Sequence, residues 1–391
     1  MEGTIMDTKQ LDSEYIAHTY ARFPIEIVRG KGELVYDADG KEYIDLGSGI
    51  AVNSFGHADK EWIAAVTEQI NKFSHTSNLY YSAPCAKLAQ MLCERTGMKK
   101  VFFSNSGAEA NECAIKAARE WAAQTKGPDY NTIITLKNSF HGRTITTLAA
   151  TGQDGFHKNF LPLTEGFAYA EANNIDDLKK TVSEHKCAAI MFELVQGEGG
   201  VMPLDAEFVQ KMADIAKKEN LLLIADEVQT GNGRSGKLYA YMHYGITPDI
   251  VSTAKGLAGG LPIGATMLGD KVQNVYTPGM HGSTFGGNPV SCAAAISILS
   301  RIDEKLLADV SEKSKFIFDS LSECGEINGV SGLGLMIGIE TEKDAKDVVA
   351  KCMENGVLVI TAKSKVRLLP PLNISSENLK KAVEVIKAAC R

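Results

Sequence analysis

The chain has 391 residues, of which 44% are hydrophobic and 23% charged, a composition typical of globular proteins. Its 41 Lys and Arg and 48 Asp and Glu give a net charge of −7, which repels phosphate backbones and argues against a nucleic-acid-binding protein. The length predicts two or three domains and a core large enough to enclose a small-molecule site.

The eight cysteines are scattered and form no C-x-x-C pair, so neither a disulfide framework nor a zinc site is indicated. Residues 1–10 lack the apolar core of a signal peptide. No apolar run approaches the roughly 18 residues of a membrane span. These features predict a cytoplasmic protein that has no membrane segment and binds no metal.

The first elements form a predicted β-hairpin, because residues 34–46 alternate apolar and polar side chains around Asp39-Gly40. After Trp62, helical patterns alternate with short apolar runs, which predicts an α/β fold with a mainly parallel central sheet and helices on both faces. The apolar runs are VFF (101–103), TIITL (132–136), AAIMF (188–192), LLLIA (221–225) and DIVST (249–253).

A long helical stretch is predicted from Pro289 onward. It leads to a smaller α+β domain that ends in a helix capped by Ser375 or Ser376. We expect residues 1–55 to join this small domain, residues 56–290 to form the large domain, and residues 291–391 to complete the small one. The apolar stripe of the helical stretch is Leu299, Ile302, Leu306 and Val310, and the later elements are strand 333–340, helix 344–354, and strands 357–361 and 366–369.

Residues 231–236 match the dinucleotide fingerprint G-x-G-x-x-G. The match is weak because residues 226–230 separate the glycines from the preceding strand, and the residues that follow are a poor helix start. Asp249 could still serve as the acid that binds the ribose. A nicotinamide-dependent oxidoreductase therefore stays a remote alternative.

Three other features suggest residues that bind a ligand or take part in catalysis. Residues 101–112 predict a strand, a turn of small residues and a helix whose first amides, with Ser106, can bind an anion. Asp226 ends a buried strand at the edge where parallel sheets bind ligands, and Lys255 follows another strand among small residues. Taken singly, these residues have simpler interpretations as a helix cap, a turn acid and a solvated lysine.

Together, a phosphate cradle, a strand-end aspartate and a lysine among small residues are what pyridoxal phosphate requires. The sequence resembles the class III pyridoxal-phosphate-dependent aminotransferases of fold type I. The motifs that carry the resemblance, in order, are SNSGAEANE (104–112), SFHGRT (139–144), ELVQGEGG (193–200), IADEVQTGNGRSG (224–236), STAKG (252–256), GSTFGGNP (282–289) and VRLLPP (366–371).

The resemblance implies pyridoxal 5′-phosphate as cofactor and assigns its main contacts. Lys255 would form the Schiff base and then move the proton, and Asp226 would pair with the pyridinium nitrogen. Phe140 and Val228 would lie on the two faces of the ring, and Gln229 would reach its phenolic oxygen.

The same resemblance implies a homodimer with shared active sites. Ser106, Gly107 and Ala108 would hold the phosphate from one subunit. Thr284 would add a hydroxyl group from the neighbouring subunit.

The substrate contacts implied by the resemblance involve two arginines. Arg143, with Tyr20, would bind the carboxylate remote from the reacting amine, and Ser283 would also contact the substrate. Arg367 would bind the α-carboxylate of glutamate or 2-oxoglutarate. Glu198 would pair with Arg367 while the other substrate is bound, because an unpaired buried arginine is costly. Surface salt bridges are the simpler interpretation of both arginines.

Residues 18–24 (HTYARFP) and 75–81 (HTSNLYY) are similar to the acetylornithine aminotransferase subfamily. The implied reaction transfers the ω-amino group of N-acetylornithine to 2-oxoglutarate, giving N-acetylglutamate semialdehyde and glutamate, in arginine biosynthesis. Ornithine, succinylornithine, N-succinyl-diaminopimelate and 4-aminobutyrate remain alternative donors. A protein that binds the cofactor without catalysis is a further alternative.

Overall fold

The computed structural model describes residues 7–391. In that range the helices are α1 (Thr8–Tyr15), α2 (Ser48–Ala51), α3 (Lys60–Lys72), α4 (Ala83–Thr96), α5 (Gly107–Thr125), α6 (Ile145–Ala150), α7 (Asp154–His157), α8 (Ile175–Glu184), α9 (Ala206–Lys218), α10 (Pro289–Leu299), α11 (Glu304–Ser322), α12 (Ala345–Glu354) and α13 (Ser376–Cys390). The prediction about residues 1–10 falls partly on residues 1–6, which lie outside the described residues.

The strands of the same range, in chain order, are β1 (Ile27–Lys31), β2 (Leu34–Asp37), β3 (Glu42–Asp45), β4 (Lys100–Ser104), β5 (Thr132–Leu136), β6 (Phe167–Ala170), β7 (Cys187–Phe192), β8 (Val195–Gln196), β9 (Met202–Pro203), β10 (Leu222–Asp226), β11 (Ile250–Thr253), β12 (Gly264–Leu268), β13 (Ile327–Leu333), β14 (Met336–Thr341), β15 (Val357–Leu358), β16 (Ile360–Ala362) and β17 (Lys365–Leu368). Two short 3-10 turns lie at Ala240–His243 and Lys255–Leu257.

The central sheet has seven strands in the order β4-β12-β11-β10-β7-β5-β6. All its pairings are parallel except those of β12, which runs antiparallel to β4 and β11. The five predicted strands are confirmed as β4, β5, β7, β10 and β11. The sequence prediction lacks β6 and β12 because alanine and glycine weaken their apolar, β-forming signal.

Helices cover both faces of this sheet, as its sequence pattern predicts. Neighbouring residues of one strand enter different cores: Ile133 packs in the cluster that contains α5, and Ile134 packs in the cluster with α4, α9 and α10. In the same way, Leu222 packs in the cluster that contains α5, and Leu223 packs in the cluster with α4, α9 and α10. A strand buried on both faces has no polar alternation, which explains its continuous apolar run.

The topology gathers the ends of three strands at one edge of the sheet. Asp226, the last residue of β10, lies opposite Ser252 of β11, and β11 ends two residues before Lys255. Ser104 ends β4 and leads into α5. Because these strands point the same way, their carboxyl ends surround one cleft.

A four-stranded sheet in the order β1-β2-β3-β15 combines the two ends of the chain. The predicted hairpin is confirmed as β2 and β3, and β3 also pairs in parallel with β15, where Ile44 lies opposite Val357. A second sheet has the order β13-β14-β17-β16. Helices α11, α12 and α13 pack in one core with β14 and β17. The division of the chain into domains stays a prediction.

Three predicted elements from Pro289 onward are wrong in detail. The helical stretch from Pro289 is two helices, because Asp303 accepts a hydrogen bond from the Leu306 amide at 2.8 Å and starts α11. Ile302 is buried between the two helices. The predicted strand 357–361 divides into β15 and β16, which belong to different sheets.

The predicted strand 333–340 is also divided. Leu333 ends β13, and β14 begins at Met336 after a tight turn. The last helix is confirmed, since the Ser375 hydroxyl accepts from the Asn378 amide at 3.2 Å. Among the helices of the described range, none is long and apolar enough to cross a membrane.

Candidate active site

A cavity of about 420 Å³ opens at the carboxyl edge of the central sheet. The sheet topology predicts this position, because Asp226 and Lys255 both lie at that edge. The predicted site residues that line the cavity are Ser106, Gly107, Ala108, Phe140, Arg143, Asp226, Val228, Gln229 and Lys255.

The Asp226 carboxylate is buried and held by three donors. Its Oδ2 atom lies 2.8 Å from Nδ1 of His141 and accepts a hydrogen bond from Nδ2 of Asn111 at 2.8 Å. Its Oδ1 atom accepts from the Val228 amide at 3.1 Å. A carboxylate fixed in this way can face a cationic ring nitrogen without rotating.

Sequence reasoning missed Asn111 and His141, although both lie inside quoted motifs. Asn111 is 1% exposed on a helix face that is otherwise alanine-rich, and a buried amide on such a face is a signal for a polar partner. His141 directly follows Phe140, and its partner lies 85 residues further along the chain. Only the fold brings the two side chains to Asp226.

Lys255 combines a strained backbone with a perturbed amine. Its φ of +44° places it in the left-handed region, which is uncommon for residues with a Cβ and is often found at functional sites. Desolvation is the main cause that lowers the pKa of the Lys255 amine to about 8, while the Glu198 charge opposes this shift and the Arg367 charge adds to it. Near neutral pH a larger fraction of this amine is neutral than of an ordinary lysine, and the neutral form is the nucleophile.

The side chains and backbone that line the cavity are closely packed against each other. A Cβ atom on Gly107 would lie 2.6 Å from Cγ1 of Val228, so glycine is needed where α5 meets this side chain. On another wall, the Phe140 amide donates to Oε2 of Glu193 at 2.9 Å. Desolvation and the Asp226 charge raise the pKa of Glu193 well above its ordinary value.

The beginning of α5 has the properties of an anion site. The Ser106 hydroxyl accepts from the Glu109 amide at 3.2 Å and caps the helix. The first backbone bond of the helix runs from Ala110 to Ser106, so the amides of Gly107 and Ala108 precede the helical ladder. Such free amides, with the helix dipole, bind phosphate groups.

Arg367 and Glu198 form an ion pair next to the cavity. Nη1 of Arg367 lies 2.6 Å from Oε1 of Glu198 and donates to Oε1 of Gln229 at 3.2 Å. The Arg367 side chain is 3% exposed and that of Glu198 is 30% exposed. Desolvation would raise the pKa of Glu198, but the charge and hydrogen bond of Arg367 outweigh it and lower that pKa.

Arg143 lies at the mouth of the cavity and is exposed. Its guanidinium carbon lies 4.6 Å from the centre of the Phe156 ring and 5.6 Å from that of Phe140. The aromatic rings orient the guanidinium while leaving it accessible to an anion.

Besides Glu198 and Arg367, which lie next to the cavity, three further predicted site residues lie outside its lining. Tyr20 is 75% exposed, and Thr284 is exposed next to residues 75–78. Ser283 is connected to the cavity through its hydroxyl, which accepts from Nδ2 of Asn105 at 3.1 Å. The roles of these three residues, like those of the residues that line the cavity, stay predictions.

The cavity fits pyridoxal 5′-phosphate in its chemistry. It offers a nucleophilic lysine, a fixed carboxylate and free helix amides on different walls. Two residues that line the cavity each have a buried polar atom without a hydrogen-bond partner among residues 7–391, namely Nε2 of His141 and Oδ1 of Asn111. By contrast, residues 231–236 form consecutive turns that lead into no α-helix, so the dinucleotide alternative has no structural support.

Comparisons with known proteins agree with this geometry. The family model described as Aminotransferase class-III matches residues 15–390. The acetylornithine aminotransferase of Haemophilus ducreyi is 50% identical, over 97% of this chain and 97% of its own length. That of Aquifex aeolicus is 46% identical, over 95% of this chain and 99% of its own.

Solved structures show the same fold. The ornithine aminotransferase of Toxoplasma gondii superimposes with a TM-score of 0.93 at 34% identity, covering 97% of this chain and 93% of its own. The N-acetylornithine aminotransferase of Stenotrophomonas maltophilia gives a TM-score of 0.83 at 37% identity, covering 95% of this chain and 96% of its own.

Proposed function

The chain belongs to the class III aminotransferases, whose cofactor is pyridoxal 5′-phosphate, and from that premise we propose that its amino donor is N-acetylornithine. The ω-amino group would pass to 2-oxoglutarate, giving N-acetylglutamate semialdehyde and glutamate, a step of arginine biosynthesis. The similarity to acetylornithine aminotransferases along nearly the whole chain supports this donor. The structural observation that supports transfer between an ω-amine and an α-amino acid is the Glu198–Arg367 ion pair, whose charges act on Lys255, and the similarity to acetylornithine aminotransferases favours N-acetylornithine among the ω-amines.

The cofactor, when bound, supplies an aldehyde that reacts with amines and a ring that withdraws electrons. Lys255 would hold it covalently and, once released, take and return the proton at the reacting carbon. Asp226 would keep the ring nitrogen protonated, with His141 and Asn111 fixing its orientation. Phe140 and Val228 would confine the ring between them.

The two substrates differ in where they carry their carboxylate. Glutamate has an α-carboxylate on its reacting carbon, whereas the reacting carbon of N-acetylornithine has none. Arg367 can bind the α-carboxylate of glutamate. When N-acetylornithine is bound, Glu198 neutralises the Arg367 charge, because a buried charge without a partner is costly. Arg143, with Tyr20 and Ser283, would hold the remote carboxylate at the mouth of the cavity.

We also propose that the active protein is a homodimer in which Thr284 serves the neighbouring site. Four large apolar residues cluster near Thr284, and a surface patch of this kind favours a protein interface. Asn78 connects the two segments that carry them, because its Nδ2 atom donates to the carbonyls of Ser283 and Gly286 at 2.9 Å. The exposed apolar residues are Leu79, Tyr80, Tyr81 and Phe285.

A cytoplasmic location is part of the same proposal. All eight cysteines are free thiols, as expected in a reducing compartment.

A donor panel tests the proposed reaction. With 2-oxoglutarate as acceptor, kcat/KM should be highest for N-acetylornithine among N-acetylornithine, ornithine, succinylornithine, N-succinyl-diaminopimelate and 4-aminobutyrate. A higher value for any other donor would replace the proposed substrate while leaving the family unchanged. Absence of amino transfer with glutamate would indicate a binding protein without catalysis.

A further inference from the structure

Arg234 is a buried charged residue that the proposed function leaves unused. It lies in the turn formed by residues 231–236 and is 2% exposed. Within residues 7–391 it takes part in no ion pair with a carboxylate, unlike Arg367. A buried guanidinium must therefore be stabilised by other hydrogen bonds, and the identity of those acceptors indicates what it holds in place.

The acceptors are two backbone carbonyls at the ends of neighbouring strands. Nη1 of Arg234 donates to the carbonyl of Leu335 at 3.1 Å and to the carbonyl of Pro370. Leu335 directly precedes β14, and Pro370 follows β17 by two residues. These two strands pair with each other, and the residue opposite Gly338 in their register is Arg367.

The backbone strengthens the same connection. The Leu335 amide donates to the carbonyl of Arg234 at 2.9 Å. A Cβ atom on Gly334 would lie 2.4 Å from that carbonyl oxygen, so the two segments pack without intervening side chains. Such a contact leaves little freedom for β14 and β17 to shift relative to the turn.

The opposite side of the turn holds the loop that carries the lysine. Nδ2 of Asn232 donates to Oγ1 of Thr253 at 3.0 Å and to the carbonyl of Ala254 at 3.2 Å, one residue before Lys255. Asn232 has a φ of +58°, a conformation that asparagine adopts more readily than most residues. Two residues of one turn thus connect the Lys255 loop and the strands of Arg367.

We propose that Arg234 is a positioning residue that sets the distance between Lys255 and Arg367 for substrates with an α-carboxylate. The inference rests on the proposed function. Glutamate attaches its amine and its α-carboxylate to one carbon, so both groups must meet their protein partners at a fixed separation. N-acetylornithine reacts at a carbon without a carboxylate and tolerates a change in that separation.

The test compares the two half-reactions in Arg234→Met, which keeps an apolar chain of similar length and removes the donors. The single-turnover rate with glutamate should fall about 10- to 100-fold, and that with N-acetylornithine by less than about threefold, because misplacement by an ångström carries a cost of this size. Equilibrium binding gives a second readout. The Kd of glutarate, an unreactive dicarboxylate, should rise about tenfold in the loaded enzyme.

Arg95, which is exposed at the end of α4, provides a control for the loss of hydrogen bonds from a guanidinium to backbone carbonyls. Its Nη1 and Nη2 atoms donate to the carbonyls of Leu299 and Ile302 at 2.6 and 2.5 Å, away from the cavity. Arg95→Met removes the same kind of interaction and should lower the melting temperature. The ratio of the two half-reaction rates and the Kd of glutarate should stay at their wild-type values in this variant.

The outcomes separate this inference from the proposed function. Equal losses in both half-reactions of Arg234→Met, with an unchanged Kd of glutarate, would overturn the positioning role of Arg234. The proposed function would still stand if the wild-type protein reacts with both amines. A wild-type protein that reacts with neither amine would overturn both. If Arg234→Met does not fold, Arg234→Lys decides the question, and its rate ratio should shift in the same direction by a smaller factor.

Discussion

Removal of Glu198 tests whether its ion pair with Arg367 selects between the two substrates. In Glu198→Ala, the Arg367 guanidinium loses the carboxylate partner that lies 2.6 Å away in the wild type. Among residues 7–391 it keeps only the hydrogen bond to Gln229. The α-carboxylate of glutamate then no longer has to displace a protein carboxylate. N-acetylornithine brings no carboxylate to this position, so in Glu198→Ala the Arg367 charge has no ion-pair partner while this substrate is bound.

The size of the effect follows from the burial of the pair. A hydrogen bond between charged groups contributes about 1.5 to 3 kcal/mol. Arg367 is 3% exposed but Glu198 is 30% exposed, so solvent screening favours the lower part of that range. About 1.5 to 2 kcal/mol corresponds to a change of roughly 10- to 30-fold in the preference for glutamate.

Rapid mixing of the loaded enzyme with each amine measures both half-reactions separately through the cofactor absorbance. For each amine, the maximal rate is divided by the concentration that gives half of that rate. The value for glutamate relative to that for N-acetylornithine should rise roughly 10- to 30-fold. Glu198→Gln is the matched control, because it keeps the volume and an acceptor oxygen but removes the charge. Its ratio should lie between those of the wild type and Glu198→Ala.

Equal losses in both half-reactions would refute this reasoning. Glu198 would then support the loop that carries it without selecting between substrates. Arg367→Ala should show the opposite bias, weakening glutamate far more than N-acetylornithine.

Four further predictions concern the cofactor and the assembly. Lys255→Ala should lose nearly all turnover and the absorbance of the lysine-bound cofactor, and near-wild-type activity would contradict its role. Asp226→Ala should still bind the cofactor but lower kcat more than about tenfold; a smaller loss would leave it a turn residue. Because the buried Lys255 amine has a pKa of about 8, cofactor capture by the apoprotein should accelerate as pH rises through about 8, and a midpoint near the ordinary 10.5 would contradict this. Sedimentation should show an active dimer, and a fully active monomer would remove Thr284 from the site.

The sequence predicts the central sheet well because its strands are buried on both faces. Ile134 and Ile224 belong to short, continuous apolar runs, the pattern typical of strands that are buried on both faces. The positions of Asp226 and Lys255 follow directly, since parallel strands end at one edge. The break near Ile302 is harder to predict, because the apolar spacing continues across it and only the cap at Asp303 interrupts the helix.

The surroundings of the site are harder to predict because they depend on contacts between distant segments. Glu198 and Arg367 are 169 residues apart, and their pairing is expected only from the family resemblance. No local pattern indicates that His141 meets Asp226, or that Arg234 reaches the carbonyl of Leu335. Such residues look like ordinary loop residues until tertiary structure supplies their partners.

The parallel pairing of β3 with β15 has a consequence for how the protein is made. Strand β3 has both of its neighbouring strands only after β15 has been synthesised, because Ile44 of β3 pairs with Val357, 313 residues later in the chain. At about 5 to 20 residues per second, a ribosome needs roughly 15 to 60 s to synthesise that interval. During this time one side of β3 is an open edge that can pair with other chains. Expression conditions that slow elongation should therefore favour aggregation through the β1–β3 segment, and chaperones that cover extended segments should counteract it.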